Sequence, residues 1–183
     1  MKVFAISGSL RRASFNTAAL RAAKALAPEG VEVTIYEGLR DIPPYDDEVR
    51  TGSGYPAPVA ALRAAIKEAD ALLFASPEYN FSISGVLKNA IDWASRVPDQ
   101  PFDGKPVAIL GAATGLYGTA RSQYDLRKIL ASLNAQLLNK PEVLIAQAAS
   151  KFDAAGNLTD ETVRGLIAQQ MVALRDWTLR LKG

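Results

Sequence analysis

The chain passes from a strand into a helix through residues Gly8–Asn16, which read G-S-L-R-R-A-S-F-N. This turn follows the apolar run Val3–Ile6 and precedes the helix-like run Thr17–Leu26. The first backbone N–H groups of a helix are free and lie at the positive end of its dipole, so a turn in this position suits an anion. Hydroxyl, guanidinium and amide donors are added by Ser9, Arg11, Arg12, Ser14 and Asn16. The alternative is that Ser14 or Asn16 only caps the helix and that the arginines are solvated.

The composition of this turn favours a terminal phosphate over a pyrophosphate. Gly8 is its only glycine, so neither G-x-G-x-x-G nor G-x-x-x-x-G-K-[ST] is present. A buried pyrophosphate needs glycines that let the backbone approach closely, whereas a turn rich in side-chain donors suits a phosphate monoester. Arginine fits such a group because its planar fork donates two hydrogen bonds to one phosphate. We therefore predict a phosphate-binding loop.

The composition of the whole chain excludes several classes of function. With 183 residues it has the size of one ordinary domain, predicted to span residues 1–183. It contains no cysteine and no histidine, which excludes a disulfide framework, thiolate zinc sites and a Ser-His-Asp triad. A net charge of +2 with scattered basic residues gives no stripe for nucleic acid, so small anionic ligands are the expected partners.

The first residues of the chain do not predict export. A single lysine is followed by an apolar run that ends at Ser7, which is too short for the core of a signal peptide. No apolar stretch approaches the roughly 18 residues that span a bilayer. We expect a cytoplasmic protein with no membrane partner.

Short apolar runs alternate with segments of helical period, which is the pattern of βα units in a parallel sheet. Strands are predicted at about residues 2–7, 31–36, 70–76, 106–112 and 136–146. Helices are predicted at about 16–27, 57–68, 85–96, 119–133 and 159–181. The predicted fold is an α/β, flavodoxin-like doubly wound five-stranded parallel sheet of order 2-1-3-4-5 with helices on both faces. Ligands bind such a sheet at the carboxyl ends of the strands, beside the switch point between strands 1 and 3.

A second loop leaves strand 3 beside that point, at residues Pro77–Gly85, and reads P-E-Y-N-F-S-I-S-G. Tyr79 and Phe81 are aromatic residues in a segment that is expected to be polar. They indicate a surface for a flat ligand or, alternatively, a turn whose aromatic side chains cap the core. Glu78 is the only acid of the loop, which is too few for a paired-carboxylate mechanism.

A third loop of small residues follows strand 4 at the same edge and reads A-A-T-G-L-Y-G at 112–118. Gly115 and Gly118 would let the backbone approach a planar ligand, although a glycine-rich turn needs no ligand to explain it. The three loops are therefore expected to converge.

Two other segments carry weaker signals. The acids of Asp41–Glu48, D-I-P-P-Y-D-D-E, follow two prolines, and an exposed turn is favoured over a metal site, so no metal is predicted. The helix within Gly85–Arg96 is apolar enough to predict contact with a partner subunit. Its large apolar residues are Val86, Leu87, Ile91 and Trp93.

The three loops belong to longer motifs. These are G-S-L-R-R-A-S-F-N at 8–16, P-E-Y-N-F-S-I-S-G-V-L-K-N-A-I-D-W-A-S-R at 77–96, and G-L-Y-G-T-A-R-S-Q-Y-D-L-R at 115–127. Together they resemble the flavodoxin-like NAD(P)H-dependent FMN reductase family, most closely its branch of quinone and chromate reductases. The similarity spans nearly the whole chain, and the second motif is the most specific. The S/T-x-T-G-x-T phosphate loop of true flavodoxins is absent.

The resemblance implies bound FMN, with NAD(P)H as co-substrate. The 5′-phosphate of FMN would lie in the first loop, against Ser9, Arg11, Ser14, Phe15, Asn16 and Thr17. The isoalloxazine ring would rest on the second and third loops, at Pro77, Glu78, Tyr79, Asn80, Phe81, Ala113, Thr114 and Gly115. No catalytic side chain is implied, because hydride would pass directly from the nicotinamide to the flavin.

The resemblance further implies an oxidoreductase, with quinones, free flavins, azo compounds or chromate as candidate acceptors. A ping-pong mechanism is predicted, because the nicotinamide and the acceptor must stack on the same exposed flavin face left open by the three loops. The resemblance also implies a homodimer or homotetramer, with Arg121, Tyr124 and Glu142 between dimers. Two other classes stay open: a flavodoxin-type electron carrier for a protein partner, and a flavin-free phosphate-binding module. The net charge of +2 argues against a carrier, because such proteins are usually strongly acidic.

Overall fold

The computed structural model describes residues 1–183 and contains a parallel β-sheet with helices on both faces. The strands are β1 (Lys2–Ser7), β2 (Glu32–Tyr36), β3 (Ala71–Ala75), β4 (Pro106–Ala112), β5 (Gln136–Leu137) and β6 (Val143–Ile145). The α-helices are α1 (Phe15–Ala25), α2 (Asp47–Gly52), α3 (Ala57–Glu68), α4 (Gly85–Ala94), α5 (Ala120–Ser132) and α6 (Glu161–Lys182). The sheet order is β2-β1-β3-β4-β5, with β6 also paired to β4. The predicted doubly wound fold and its strand order are confirmed.

The register of the sheet brings the carboxyl ends of three strands to one edge. Ser7 at the end of β1 is the partner of Ala75 at the end of β3, and Ala75 in turn is the partner of Leu110 in β4. Every residue of β3 and β4 is buried, as expected for parallel strands that are covered on both faces. The loops that follow β1, β3 and β4 therefore leave the sheet side by side.

Each face of the sheet has its own hydrophobic core. On one face, α1 and α6 contribute side chains such as Leu20 and Ile167. On the other face, α3, α4 and α5 contribute Leu62, Trp93 and Leu126. Burial of a large apolar side chain stabilises the fold by about 1.5–3 kcal/mol, so the two cores hold the strand ends in fixed positions. None of the helices combines the length and the apolar composition that crossing a bilayer requires.

The fifth predicted strand, at 136–146, is wrong as one continuous element. It is divided into β5, which pairs with Pro106 and Val107, and β6, which pairs with β4 from Leu110 onward. Pro141 lies between the two short strands and has no N–H to donate to the ladder. Both short strands still lie beside β4, so the division leaves the strand order intact.

The acidic segment before residue 52 contains a short helix in place of the predicted turn. Asp46 caps α2, because its carboxylate accepts hydrogen bonds from the backbone N–H groups of Glu48 (2.8 Å) and Val49 (3.4 Å). The acids in the first turn of α2 also lie at the positive end of the helix dipole. Their side chains are exposed, as predicted, but they serve as helix-starting residues.

The apolar residues of α4 are mostly used within the chain. Leu87, Ile91 and Trp93 are buried, and Trp93 donates its indole N–H to the carbonyl oxygen of Pro43 at 2.8 Å. Only Val86 is exposed, at 36% of its surface. Most of the apolar surface that was expected to be available to a partner subunit is therefore buried within the chain, and contact of α4 with such a subunit stays a prediction.

Candidate functional site

The first loop ends in a capped helix. The hydroxyl oxygen of Ser14, a buried residue, accepts a hydrogen bond from the backbone N–H of Thr17 at 3.2 Å, which makes Ser14 the N-cap of α1. The first turn of α1 contains no acidic residue. The positive end of this helix is therefore not neutralised by a carboxylate of its own, and the loop keeps its attraction for an anion.

The side chain of Asn16 is engaged with the end of β4. It is buried, and its amide donates to the carbonyl oxygen of Ala112 at 3.0 Å and accepts from the N–H of Ala112 at 2.9 Å. Thr17 is also engaged, since its hydroxyl donates to that of Ser7 at 2.8 Å. A role of Asn16 in holding phosphate stays a prediction, and its backbone N–H at the start of α1 is the group best placed to contribute. Asn16 instead joins the first loop to the end of β4.

A second hydrogen bond joins the first loop to α4. Ser84, the N-cap of α4, donates its hydroxyl to the carbonyl oxygen of Gly8 at 2.6 Å. A Cβ atom at Gly8 would lie 3.0 Å from side-chain atoms of both Leu87 and Pro77. This close approach explains why a glycine begins the loop.

The second and third loops are joined through Glu78, whose side chain is only 8% exposed. Its carboxylate accepts hydrogen bonds from the backbone N–H groups of Arg121 (3.1 Å) and Ser122 (3.3 Å) at the start of α5. It also pairs with the Arg121 guanidinium, whose Nε donates to it at 2.5 Å. The Ser122 hydroxyl donates to the carbonyl oxygen of Pro77 at 2.8 Å. Glu78 thus acts as a cap for a helix that begins more than 40 residues later.

The aromatic residues of the second loop face solvent. Tyr79 and Ser82 exchange two backbone hydrogen bonds of 3.0 Å around Asn80 and Phe81, which both have positive φ angles of 50° and 69°. Such an angle is uncommon for a bulky side chain such as that of Phe81. Tyr79 is 49% and Phe81 67% exposed, so the alternative that these rings cap the core is wrong.

The rings of Phe81 and Tyr117 both lie against one cation. The Arg121 guanidinium carbon is 3.8 Å from the centre of the Phe81 ring and 4.8 Å from that of the Tyr117 ring. These are distances at which a cation is attracted to an aromatic face. Arg121 is therefore part of the same loop cluster as Glu78.

The third loop is fixed by β6 and the chain that follows it. The backbone of Ala113 accepts from the N–H of Ala148 and donates to the carbonyl oxygen of Ile145, both at 3.0 Å. Gly118 has a φ of 53°, and a Cβ atom there would lie 2.7 Å from the backbone carbon of Leu144. Thr114 and Gly115, between these anchors, are exposed.

A cavity of about 130 Å³ lies where the three loops meet. It is lined by Ser9, Arg11, Ser14, Phe15, Asn16, Pro77, Glu78, Tyr79, Ala112, Ala113 and Thr114. Nearly all of these were predicted from the sequence. An adjoining groove of about 570 Å³ shares Arg11 and Tyr79 and adds Gly8, Leu10, Ser84, Gly85 and Val86. The combined space has the size of a site for a small ligand.

Some predicted residues lie outside this cavity, and some of its residues were missed. Asn80, Phe81 and Gly115 belong to the loops but do not line it, while Thr17 lines a separate cavity of about 580 Å³ beside β2. Ser84 was missed, although a serine just before an apolar helical run is the usual signal of an N-cap. Leu10, Val86 and Ala112 carry no comparable signal in the sequence.

The donors of this site fit the predicted cofactor. The Arg11 side chain is exposed and makes only one hydrogen bond, to the carbonyl oxygen of Ala13 at 3.2 Å, so its guanidinium can still donate to a phosphate. The Ser14 hydroxyl accepts from Thr17 and retains its own proton for donation. The exposed ring of Tyr79 adds a flat surface to the same cavity.

The sequence also places the chain among known proteins. The profile of a family described as NADPH-dependent FMN reductase matches residues 1–150. The chain belongs to this family. It is 54% identical to an NAD(P)H-dependent FMN reductase of Pseudomonas aeruginosa over 183 residues, which are all of this chain and 98% of that protein. It is 42% identical to a quinone reductase of Escherichia coli K12, covering all of this chain and 97% of that protein.

A solved structure agrees with this family. The flavoenzyme NAD(P)H:(acceptor) oxidoreductase FerB of Paracoccus denitrificans superposes with a TM-score of 0.87 at 33% sequence identity. The match covers 98% of this chain and 97% of that one. The predicted enzyme class is confirmed: an oxidoreductase of the FMN reductase family that works with FMN and a reduced nicotinamide nucleotide.

The three residues expected between dimers have neighbours within the chain. Arg121 is paired with Glu78, as described above. Glu142 accepts a hydrogen bond from the Lys140 ammonium at 3.0 Å, and this bond, with a smaller contribution from the Tyr124 hydroxyl, lowers the pKa of the Glu142 carboxyl. The Tyr124 side chain is exposed. A role for these residues in assembly stays a prediction.

Proposed function

We propose that this protein oxidises NAD(P)H by means of FMN held between its three loops and passes the electrons to quinones. The proposal rests on the cavity that the loops after β1, β3 and β4 share, which combines phosphate donors with a flat aromatic surface. Quinones are the acceptor best supported, because a relative that matches the whole chain is named quinone reductase. Azo compounds, chromate and free flavins are further candidates.

In this proposal the phosphate of FMN is held by side-chain and backbone donors of the first loop. Arg11, Ser9 and Ser14 contribute their side chains, and Phe15, Asn16 and Thr17 contribute backbone groups at the positive end of α1. The ring system rests against the segments 77–81 and 113–115. When bound, FMN supplies the redox chemistry by accepting hydride from the nicotinamide.

The residues of the site bind and orient, and none is required as an acid or base. The carboxylate of Glu78, the only acid that lines the cavity, is already committed to α5 and Arg121. Nicotinamide and acceptor would use the same exposed side of the ring in turn. We therefore propose a ping-pong mechanism in a single domain that spans residues 1–183.

The experiment has a spectroscopic and a kinetic part. The purified protein is expected to show the visible bands of FMN, to lose them on anaerobic addition of NADPH, and to regain them when a quinone is added. Double-reciprocal plots of NADPH oxidation at several quinone concentrations should be parallel. Intersecting lines would mean that both substrates bind together. A protein that neither carries nor binds FMN would instead support a flavin-free phosphate-binding module.

Assembly and location are part of the same proposal. We propose a homodimer or homotetramer, in which exposed rings such as Phe81 and Tyr117 are covered by a second copy. A cytoplasmic location is the prediction made from the sequence, and fractionation of cells that express the protein tests it.

A further inference from the structure

The helix α5 begins without a cap of its own. Its N-cap residue Thr119 has a left-handed backbone, with φ 69°, and its side chain accepts no capping hydrogen bond. The free N–H groups of Arg121 and Ser122 donate instead to Glu78, which belongs to the loop after β3. The start of α5 and the second loop are thus held by a carboxylate that also lines the three-loop cavity.

Two further contacts make this junction rigid. The hydroxyl groups of Ser76 and Ser122 lie 2.8 Å apart, and both serines are fully buried. A Cβ atom at Gly111 would lie 2.7 Å from the carbonyl oxygen of Ser76, so β4 also packs directly against the start of this loop. These contacts do not involve the Glu78 side chain, so we expect the backbone of the second loop to keep its position when that side chain is changed.

The charges at the junction balance one another. Arg121 and the positive end of α5 are the positive groups, and Glu78 is the carboxylate that both of them contact. Because the Glu78 side chain is nearly buried, its charge is screened by water much less than that of a surface group. Loss of Arg121 would leave the Glu78 carboxylate in the cavity wall without its paired cation, and loss of the Glu78 charge would leave Arg121 and the start of α5 without their paired anion.

We propose that Glu78 and Arg121 are positioning residues that fix the second loop to α5 and, through their opposite charges, set the reduction potential of the flavin. The inference rests on the proposed function, because it requires the isoalloxazine ring to lie at the second loop. Reduction places negative charge on the flavin, and charge near the ring is one of the means by which a protein tunes this cofactor. The two residues must therefore shift the potential in opposite directions.

The test is the midpoint potential of protein-bound FMN in two variants. Glu78→Gln keeps an oxygen for the N–H groups of α5 but removes the negative charge, and we expect a more positive potential. Arg121→Gln removes the positive charge, and we expect a more negative potential. Arg121→Lys keeps the charge without the planar fork and should return the potential toward that of the unchanged protein. If the two residues served only the fold, the potentials of Glu78→Gln and Arg121→Gln would both shift in the same direction or would not shift at all.

A matched control lies at the other end of the same strand. Asp70, just before β3, pairs with Lys182 at the edge opposite to the cavity, so Asp70→Asn removes a paired carboxylate without affecting the site. This variant should keep the original potential. A potential shift in Asp70→Asn as large as that in Glu78→Gln would overturn the proposal. The loss of a negative charge anywhere in the protein would then be enough to shift the potential.

Three further outcomes distinguish an effect of charge on the potential from misfolding, from an interface role of Arg121 and from a lack of FMN binding. If Glu78→Gln does not fold, the potentials of Arg121→Gln and Arg121→Lys still test the proposal. Equal potentials in these two variants would overturn it. A potential that changes only together with the mass measured by light scattering would also overturn it, in favour of an interface role for Arg121. If the unchanged protein does not bind FMN, the proposed function fails before this question arises.

Discussion

At the scale of single residues, Arg11 carries the sharpest prediction. Arg11→Ala should weaken FMN binding by about 1.5–3 kcal/mol, the contribution of a charge-assisted hydrogen bond, because the exposed guanidinium is the cation that lines the cavity. The fold should be unaffected, since the side chain makes only one contact with the backbone. Titration of FMN into the apo protein, followed by fluorescence quenching, measures the change. Arg12→Ala is the control, because Arg12 is adjacent and exposed but does not line the cavity. Equal dissociation constants for the Arg11 variant and the unchanged protein would remove Arg11 from the site.

Single residues also show where reasoning from the sequence stops. Ser9, Arg11 and Tyr79 could be identified because the order of strands brings their loops to one edge. The contact that the Asn16 amide makes could not be predicted, since its partner Ala112 is 96 positions away. Glu78 and Arg121 raise the same difficulty, because a residue type does not reveal which distant partner it contacts.

At the scale of elements, Gly118 is predicted to be necessary for the position of the third loop. Gly118→Ala should destabilise the protein by at least about 1–2 kcal/mol, because a non-glycine residue at positive φ carries that cost before its Cβ atom meets the backbone of Leu144. Urea denaturation of the apo protein measures the effect. Gly115→Ala is the control, as a Cβ atom at Gly115 has open space and no positive φ is required. If both variants lose the same stability, the close approach to β6 is not the reason for the glycine.

Helices and strands could be predicted where the sequence pattern within the segment itself determines the structure. Strands β1 to β4 and the long helices follow from apolar runs and helical periods, so the order of the sheet and the edge that holds the site could be predicted. The division of the last strand was missed, although Pro141 and the polar residues beside it interrupt the apolar pattern between β5 and β6, which pair with different parts of β4. The helix α2 was missed because Asp46, Asp47 and Glu48 favour turns and helix starts alike.

At the scale of the whole molecule, paired carboxyl groups make the stability of the fold depend on pH. A hydrogen bond from Lys182, and then one from the backbone N–H of Lys2, hold the pKa of the Asp70 carboxyl below its usual range. A carboxyl with a lower pKa in the folded state stabilises the fold above its unfolded pKa, and this contribution is lost as the pH falls through the folded value. The free energy of unfolding should therefore decrease below about pH 4, and less steeply in Asp70→Asn. Urea denaturation at several pH values measures this. Glu29→Gln, at an exposed residue without an ion pair, is the control and should keep the original slope.

Assembly is expected to use a different surface from the one that the sequence indicated. Because Leu87, Ile91 and Trp93 are buried, α4 offers little for a partner, and four of the exposed apolar side chains lie instead on the loops around the site. These groups are Tyr79, Phe81, Leu116 and Tyr117. A two-fold contact through them would cover rings worth about 1.5–3 kcal/mol each and would enclose the cavity from outside. We therefore expect light scattering behind a sizing column to give two or four times the 19.6 kDa of the chain. Tyr117→Ser should shift the protein toward the monomer, whereas Val97→Ser, at an equally exposed valine after α4, should not. A mass near 19.6 kDa at micromolar concentration would refute both assemblies, and a stable dimer would refute the tetramer through Arg121, Tyr124 and Glu142.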